Sequence, residues 1–134
     1  MHYCAIVQMN IDKAASVFQS LTDVTRLRIL RLFLSTREEL CLCDISAALR
    51  EPTYKVSRHL KALREAGLLD AEREGRWLYH RIADDEATER SLFRFVEAME
   101  DSEGQLKSDQ LRLGKVRQKR AQDRCRGIDR GGHA

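Results

Sequence analysis

The chain has 134 residues, of which 43% are hydrophobic, with a formal net charge of +3, one proline and four cysteines. Four cysteines are too few for a disulfide scaffold. The sequence also shows no secretory signal and no apolar run near the ~18 residues that a membrane span needs. We therefore expect a cytoplasmic protein with reduced thiols and no membrane association. The composition favours one compact helical domain, for which dimerisation would enlarge the buried core.

Charge is distributed unevenly along the chain. Residues 50–82 contain eight Lys/Arg against five Asp/Glu, residues 83–106 contain two against eight, and residues 107–134 contain nine against three. A basic region that coincides with a nucleic-acid-reading motif would attract phosphates. The last region is rich in glycine and shows little apolar periodicity after Val116. We therefore assign residues 1–103 to the folded domain and residues 104–134 to a basic, flexible tail.

Two helices are predicted from apolar spacing near the start of the chain. Between residues 11 and 21 the apolar positions recur every three or four residues, which is the spacing of one helix face. Thr22 or Asp23 can cap a second helix over residues 24–35. Its wide apolar stripe indicates that this helix lies largely in the core.

A helix-turn-helix is predicted next. A short helix over residues 44–49, with Asp44 as its cap, is followed by Pro52, which disfavours helical geometry in the residue before it and forces a turn. Thr53 is placed to cap the second helix, and Gly67 closes it. The outward face of this helix suits base edges and phosphates in a major groove. That face carries Tyr54, Ser57, Arg58 and Lys61.

A β-hairpin is predicted after this helix. Residues 68–73 and 77–82 alternate apolar with polar side chains and are separated by Glu74-Gly75-Arg76, the pattern of two strands joined by a short turn. Two helices joined by a tight turn and followed by a hairpin predict a winged helix-turn-helix. In that motif the second helix enters the groove and the wing contacts the DNA backbone.

Four segments occur in the order and at the spacing of a known family. They are Val24-Thr25-Arg26-Leu27-Arg28-Ile29-Leu30, residues 39–44, Val56-Ser57-Arg58-His59-Leu60 and Ala66-Gly67-Leu68-Leu69. Over roughly residues 11–100 the chain therefore resembles the ArsR/SmtB family of metal- and metalloid-responsive repressors. The resemblance implies a homodimeric winged helix, mainly α with a small β-hairpin. Such a protein binds double-stranded operator DNA without a cofactor and releases it when an inducer binds.

The resemblance also assigns residues to DNA contact. They are Thr53, Tyr54, Lys55, Ser57, Arg58, His59 and Lys61 on the second helix, and Arg73 and Arg76 on the wing. Two alternatives stay open at this point, because His59 can equally pack inside the protein and Tyr54 can be a partly buried anchor. Trp77 and Tyr79 share a strand face and are expected to pack the wing.

Cys41 and Cys43 are the candidate sensor residues. Thiolates select thiophilic ions over hard ones, and the dipole of the following helix would lower the pKa of both thiols. Residues two apart lie on one side of an extended segment but about 200° apart around a helix. Chelation by both would therefore deform the start of the reading motif. The alternative is that both cysteines are inert small hydrophobes.

The inducer follows from the resemblance to arsenical-responsive repressors and to the cadmium/lead-responsive branch. It implies As(III) or Sb(III), with Cd(II) or Pb(II) as the alternative. Arsenical repressors often carry a third cysteine where this chain has Ser46. Cys4 of the same or the partner subunit is therefore the expected third ligand, and Cys125, solvent or an added thiol are the alternatives.

The helix expected after the wing, over residues 86–101, pairs with the first helix across the dimer in the family. Some relatives carry a zinc site on it. No histidine occurs between His80 and His133, so we expect that site to be absent.

Two other functional classes fit the sequence less well. An enzyme would need a nucleophile ordered with a base, and nothing orders Cys41 or Cys43 with His59 or His80, so no enzymatic activity is expected. A redox-sensing repressor would oxidise the same two thiols, although cysteines separated by one residue form a strained disulfide.

Overall fold

The structure is a computed structural model that describes residues 10–83 and 87–125. Its elements in chain order are α1 (Ile11–Ser20), α2 (Val24–Thr36), β1 (Leu40–Cys41), α3 (Leu42–Leu49), α4 (Thr53–Glu65), β2 (Leu69–Glu74), β3 (Trp77–Ile82), α5 (Ala87–Glu97) and α6 (Gln105–Cys125). This confirms the prediction of a mainly helical winged helix-turn-helix, with α3 and α4 as the motif. Within the described ranges, every helix is too short or too polar to cross a membrane.

The central helix α2 has its start and its buried face where they were predicted. Asp23 is the cap, and its Oδ1 accepts a hydrogen bond from the backbone N–H of Arg26 at 3.1 Å. Most of the apolar stripe is buried and packs against the other helices, as its width predicted, and Leu27 near its start is half-buried. Its most buried members are Ile29, Leu30, Leu32 and Phe33.

The caps of α3 and α4 differ from the predicted ones. Cys41 occupies the N-cap position of α3, which begins at Leu42, and Asp44 lies in the first turn instead of capping it. Pro52 occupies the N-cap position of α4, so Thr53 is the first helical residue and not its cap. Proline is favourable at this end of a helix because it has no backbone N–H to leave unpaired.

The wing, which is the hairpin of β2 and β3, belongs to a three-stranded antiparallel sheet in the order β1-β3-β2. β2 and β3 pair around Gly75, which has a φ of +64° as the predicted turn requires. The sequence did not reveal β1, because a strand of two residues shows no alternation. In β1, Leu40 lies opposite His80 and Cys41 lies opposite Tyr79. The thiol segment is therefore a strand of the same sheet as the wing.

Residues 105–125 form a helix, so the prediction of a flexible tail is wrong over this range. α6 packs on α2 and α3, where Leu113 is buried and the Asp109 carboxylate accepts hydrogen bonds from Nε and Nη2 of Arg28 at 2.9 and 3.0 Å. The Nε of Arg112 donates to the carbonyl oxygen of Ala48 at 2.6 Å. This docking is largely polar, which explains why apolar periodicity did not reveal it. Residues 126–134 lie outside the described residues.

The Asp101 carboxylate stabilises the start of α6. The helix α5 ends at Glu97, earlier than the predicted residue 101. The Asp101 carboxylate accepts hydrogen bonds from the backbone N–H groups of Leu106 and Lys107, both at 3.0 Å. These hydrogen bonds lower the pKa of Asp101 below its usual value. The chain therefore turns at Asp101 into a new helix.

Because α6 is docked on the core, replacing two leucines of this helix should lower the free energy of unfolding by different amounts. Leu113→Ala should lower the free energy of unfolding by about 2–4 kcal/mol, because it leaves a cavity where a buried side chain packs. Leu111→Ala, at a position that is 59% exposed, should change it by less than about 0.5 kcal/mol. Urea unfolding followed by circular dichroism measures both. Equal effects of the two substitutions would contradict the docked position of α6.

Candidate functional site

The helix α4 presents a polar face to solvent. Tyr54 is 67% exposed, which rules out the alternative of a partly buried anchor. The opposite face of the helix lies in the core through Val56, Leu60 and Leu63. The outward face is therefore available to a groove of duplex DNA. Its exposed members are Thr53, Tyr54, Ser57, Arg58 and Lys61.

Lys55 lies at the edge of this face. Its Nζ is 3.1 Å from Oε1 of Glu51, and its side chain is 40% exposed. An ion pair this exposed adds little to stability. The ammonium group can therefore exchange the carboxylate for a phosphate.

His59 is turned inward, so its assignment as a DNA contact is corrected. It is 7% exposed, and its Nδ1 accepts a hydrogen bond from Nε of Arg26 at 3.1 Å. Burial lowers the pKa of His59 below its usual value. The neutral ring therefore links α4 to α2, as the packing alternative had it.

Arg73 and Arg76 are exposed at the tip of the wing, as the hairpin predicted. A cavity of about 260 Å³ between α4 and the wing is lined by both of these arginines and by Ser57 and Arg64. Arg64 was not among the predicted contacts. Its position, seven residues after Ser57 and therefore on the same helix face, is the signal that could have found it.

His80 holds Arg64 in place. The Nη1 of Arg64 lies 2.7 Å from Nε2 of His80, and because a guanidinium can only donate, Nε2 accepts and the neutral ring carries its proton on Nδ1. That Nδ1 is buried without a hydrogen-bond partner among the described residues. Burial, helped by the Arg64 charge, lowers the pKa of His80 from 6.5 to about 4.

Cys41 and Cys43 straddle the junction between β1 and α3. Cys41 is buried and extended, with φ −96° and ψ 162°, and Cys43 is half-buried in the first turn of the helix. Burial raises the pKa of both thiols, and the nearby charge of Arg120 opposes this only in part. The expectation of a lowered thiol pKa is therefore wrong in its direction. Neither Cys41 nor Cys43 forms a disulfide.

A cavity of about 500 Å³ lies over Cys41, between the sheet and α6. Its lining includes Glu39, Cys41, Asp44, Tyr79, Arg117 and Arg120. Within residues 10–83 and 87–125, no three side chains of His, Cys, Asp or Glu come together in a group that could hold a metal ion. Cys4 lies outside the described residues, and so does the side chain of Cys125.

Ser46 does not replace the missing third sulfur. Its hydroxyl donates a hydrogen bond to the backbone carbonyl oxygen of Glu51. The position where arsenical repressors often carry a cysteine is used here to hold the turn between α3 and α4.

The segment that contains the helix-turn-helix matches a known protein family. Residues 23–71, from the cap of α2 into β2, match the family described as bacterial regulatory protein, arsR family. The solution structure of a homodimeric winged helix-turn-helix DNA-binding domain from Mycobacterium bovis has a TM-score of 0.57 and 30% identity to this chain. The match covers 69% of this chain and 87% of that one. The chain belongs to the ArsR family.

Two characterised classes of regulator occur among its ArsR-family relatives. The chain is 46% identical over 67 residues to the arsenical resistance operon repressor of Escherichia coli strain K12. This match covers 50% of this chain and 56% of that protein. The chain is also 32% identical over 80 residues to a cadmium resistance transcriptional regulatory protein homologue of Staphylococcus aureus. This match covers 60% of this chain and 65% of that protein. The chain therefore spans less than two thirds of the length of either relative.

The buried imidazole of His80 predicts a pH-dependent stability. With a pKa of about 4 in the folded state and about 6.5 in the unfolded state, it stays neutral after the unfolded chain has taken up a proton. Stability should therefore be complete above pH 6.5 and fall by roughly 2–3 kcal/mol as the pH drops to 4. Urea unfolding from pH 7.5 to pH 4 measures this loss.

The matched variant is His80→Gln, which keeps an acceptor for Arg64 but does not titrate. It should lose clearly less unfolding free energy over the same pH interval than the unsubstituted protein. The assignment of His80 would be overturned if both proteins lost the same amount.

Proposed function

We propose that this protein is a homodimeric, DNA-binding transcriptional repressor that releases its operator when trivalent arsenic or antimony binds Cys41 and Cys43. One observation carries the proposal. The two thiols lie where β1, hydrogen-bonded to the wing strand β3, meets α3, the first helix of the reading motif. A ligand that bridges them acts on both DNA-contacting elements. DNA binding and reduced thiols both fit a cytoplasmic location.

The exposed polar face of α4 is proposed to read bases, and the wing is proposed to contact phosphates. Arg58 has a guanidinium suited to a base edge, and Lys61 and Arg64 extend the cationic surface toward the wing. Arg73 and Arg76 at the wing tip neutralise the backbone without reading sequence. The site therefore separates sequence discrimination from general affinity.

Dimerisation is proposed to use the exposed apolar side chains of α1 and α5. Ile11 and Phe18 on α1 are 84% and 63% exposed, and Phe95 on α5 is 69% exposed. Large apolar groups this exposed are typical of an interaction surface. The similarity to the homodimeric Mycobacterium bovis domain supports dimerisation itself. A two-fold dimer presents two α4 helices to the half-sites of a palindromic operator.

The inducer chemistry follows from protonated thiols. When arsenous acid meets the pair, each new As–S bond replaces an As–O bond, and each thiol proton leaves with the departing hydroxyl as water. The third position keeps a hydroxyl or takes the sulfur of Cys4. Because Cys43 lies within a helix and Cys41 within a strand, bringing both sulfurs to one arsenic atom pulls Cys43 out of helical geometry. The start of α3 then moves relative to the wing.

A divalent thiophilic ion is the second candidate, supported by the cadmium regulator homologue. Cd(II) or Pb(II) must displace both thiol protons into solution, so its affinity rises with pH through the raised pKa of the thiols. Arsenite releases water and not free protons, so its affinity should not rise in this way. A thiol redox response is the third candidate, and it needs an added oxidant such as a peroxide.

We predict that substitutions of Arg58 and Arg76 change DNA binding in two different ways. Arg58→Ala should reduce discrimination between operator and mutated operator by about 1–3 kcal/mol. Arg76→Ala should weaken binding equally on all sequences and reduce the slope of log affinity against log salt by about 1. Fluorescence anisotropy at several salt concentrations measures both, with Lys115→Ala on exposed α6 as the charge-matched control. If both variants bound like the unsubstituted protein, α4 and the wing would not be the interface.

We predict that Cys41 and Cys43 are both required for arsenite to release the protein from operator DNA. Cys41→Ser and Cys43→Ser should each stay on operator DNA at arsenite concentrations that release the unsubstituted protein, because chelation is lost while the outward face of α4 is unchanged. Cys4→Ser should show a graded loss of response if Cys4 supplies the third sulfur, and Cys125→Ser should respond almost normally. Anisotropy titrations with arsenite, cadmium and peroxide separate the three candidates.

Release of a Cys41/Cys43 double variant by arsenite would exclude this sensor. The inducer would then bind elsewhere, and the position of the thiol pair beside the motif would be incidental.

A further inference from the structure

Arg120 on α6 contacts the thiol segment and the wing at the same time. Its Nη2 donates a hydrogen bond to Oδ1 of Asp44 at 2.7 Å, and its guanidinium carbon lies 5.9 Å from the centre of the Trp77 ring. Asp44 directly follows Cys43 in the first turn of α3, and Trp77 is the first residue of β3. One side chain therefore bridges the two elements that the inducer is proposed to separate.

The ion pair between Arg120 and Asp44 is partly shielded from solvent. The side chain of Asp44 is 8% exposed and that of Arg120 is 30% exposed. The Nε of Arg120 is buried and has no hydrogen-bond partner among the described residues. A charge-assisted hydrogen bond in such a position is stronger than a surface ion pair, and removing the guanidinium leaves the Asp44 carboxylate buried without this partner. The bridge should therefore have a measurable effect on the arrangement of the site.

The helix that carries Arg120 is anchored independently of it. Two turns earlier, Leu113 packs into the core, and Arg112 donates to the carbonyl oxygen of Ala48. Asp109 pairs with Arg28 on α2. These contacts fix α6 on the body of the protein, so Arg120 reaches the site from a rigid support. The segment that matches the ArsR family ends at residue 71, well before α6.

We propose that Arg120 is a positioning residue of the inducer response, which holds the start of α3 and the start of β3, next to the turn of the wing, in the arrangement that binds DNA. This inference rests on the function proposed above and adds α6 to it. Moving Cys43 out of helical geometry displaces the adjacent Asp44 and breaks the bridge. The contact therefore favours the DNA-binding arrangement and opposes the arrangement in which both thiols meet one ion.

Operator binding and inducer binding are coupled if Arg120 favours one of the two arrangements. A contact that favours one of two arrangements must oppose ligands of the other by the same factor. Loss of the bridge should therefore weaken operator binding without inducer and strengthen inducer binding without DNA. A merely structural role for Arg120 would weaken operator binding and leave inducer binding unchanged or weaker.

The test compares three variants of the full chain. Arg120→Ala removes both contacts, Arg120→Lys keeps the charge that faces Asp44, and Lys119→Ala removes one positive charge from an exposed neighbouring position of the same helix. Operator affinity is measured by anisotropy at constant salt, and arsenite affinity of the DNA-free protein by the ultraviolet absorbance of the arsenic–thiolate bonds. Thermal unfolding by circular dichroism shows that each variant is folded.

Arg120→Ala should bind operator about tenfold more weakly than the unsubstituted protein and bind arsenite more tightly by a similar factor, a coupling of ordinary size for two linked sites. Arg120→Lys should recover most of both effects. Lys119→Ala should change operator affinity by less than about threefold, as loss of a single charge does, and leave arsenite affinity unchanged.

Two results would overturn the inference. If Arg120→Ala matched Lys119→Ala in both affinities, Arg120 would contribute only charge. If it weakened operator binding without tightening arsenite binding, its role would be structural. Failure of the unsubstituted protein to bind arsenite would instead reject the proposed inducer. The same comparison is then made with cadmium, which is the second candidate for the same thiols, and opposite shifts of operator affinity and cadmium affinity decide whether Arg120 positions the site.

Discussion

The antiparallel pairing of Leu40 and Cys41 with β3 is the contact on which the arrangement of the site depends. It is only two residues long, yet it ends at the residue that also occupies the N-cap position of α3. Cys41 therefore belongs to the wing sheet through its backbone and to the helix-turn-helix through its N-cap position. A change in geometry at this residue cannot be confined to one of the two elements, because both share its backbone.

The arginines of α2 connect this helix to other helices, which their sequence positions did not reveal. They interrupt the apolar stripe of this helix, and in the structure each connects it to a different element. Arg26 donates to His59 of α4, Arg28 pairs with Asp109 of α6, and Arg31 donates to the carbonyl oxygens of residues 96 and 99 at the end of α5. Buried polar contacts of this kind favour one arrangement of the helices, since any other would leave the guanidinium groups unpaired.

The arginines of the chain also divide into an internal set and an exposed set. Arg28, Arg112 and Arg120 are paired with buried carboxylates inside the fold. The exposed set, on the face proposed to bind DNA, lies on α4 and at the wing tip and consists of Arg58, Arg73 and Arg76, with Lys61 beside Arg58 on the same helix.

The sequence by itself determined the elements whose signals are local. Apolar periodicity placed α2 and α4, and the glycines at residues 67 and 75, which have positive φ in the structure, marked the end of the reading helix and the turn of the wing. The spacing of Cys41 and Cys43 placed the thiols beside the motif. These features could be read because a helix face, a helix end and a tight turn each depend on a few neighbouring residues.

Only the tertiary structure decided the features that depend on distant residues. The strand β1 exists because β3 lies beside it, and α6 docks through ion pairs with residues up to 81 positions away, such as Asp109 with Arg28. The inward turn of His59 depends on Arg26, and the raised pKa of the two thiols depends on burial beneath α6 and the sheet. None of these partners is a sequence neighbour, so no local pattern could report them.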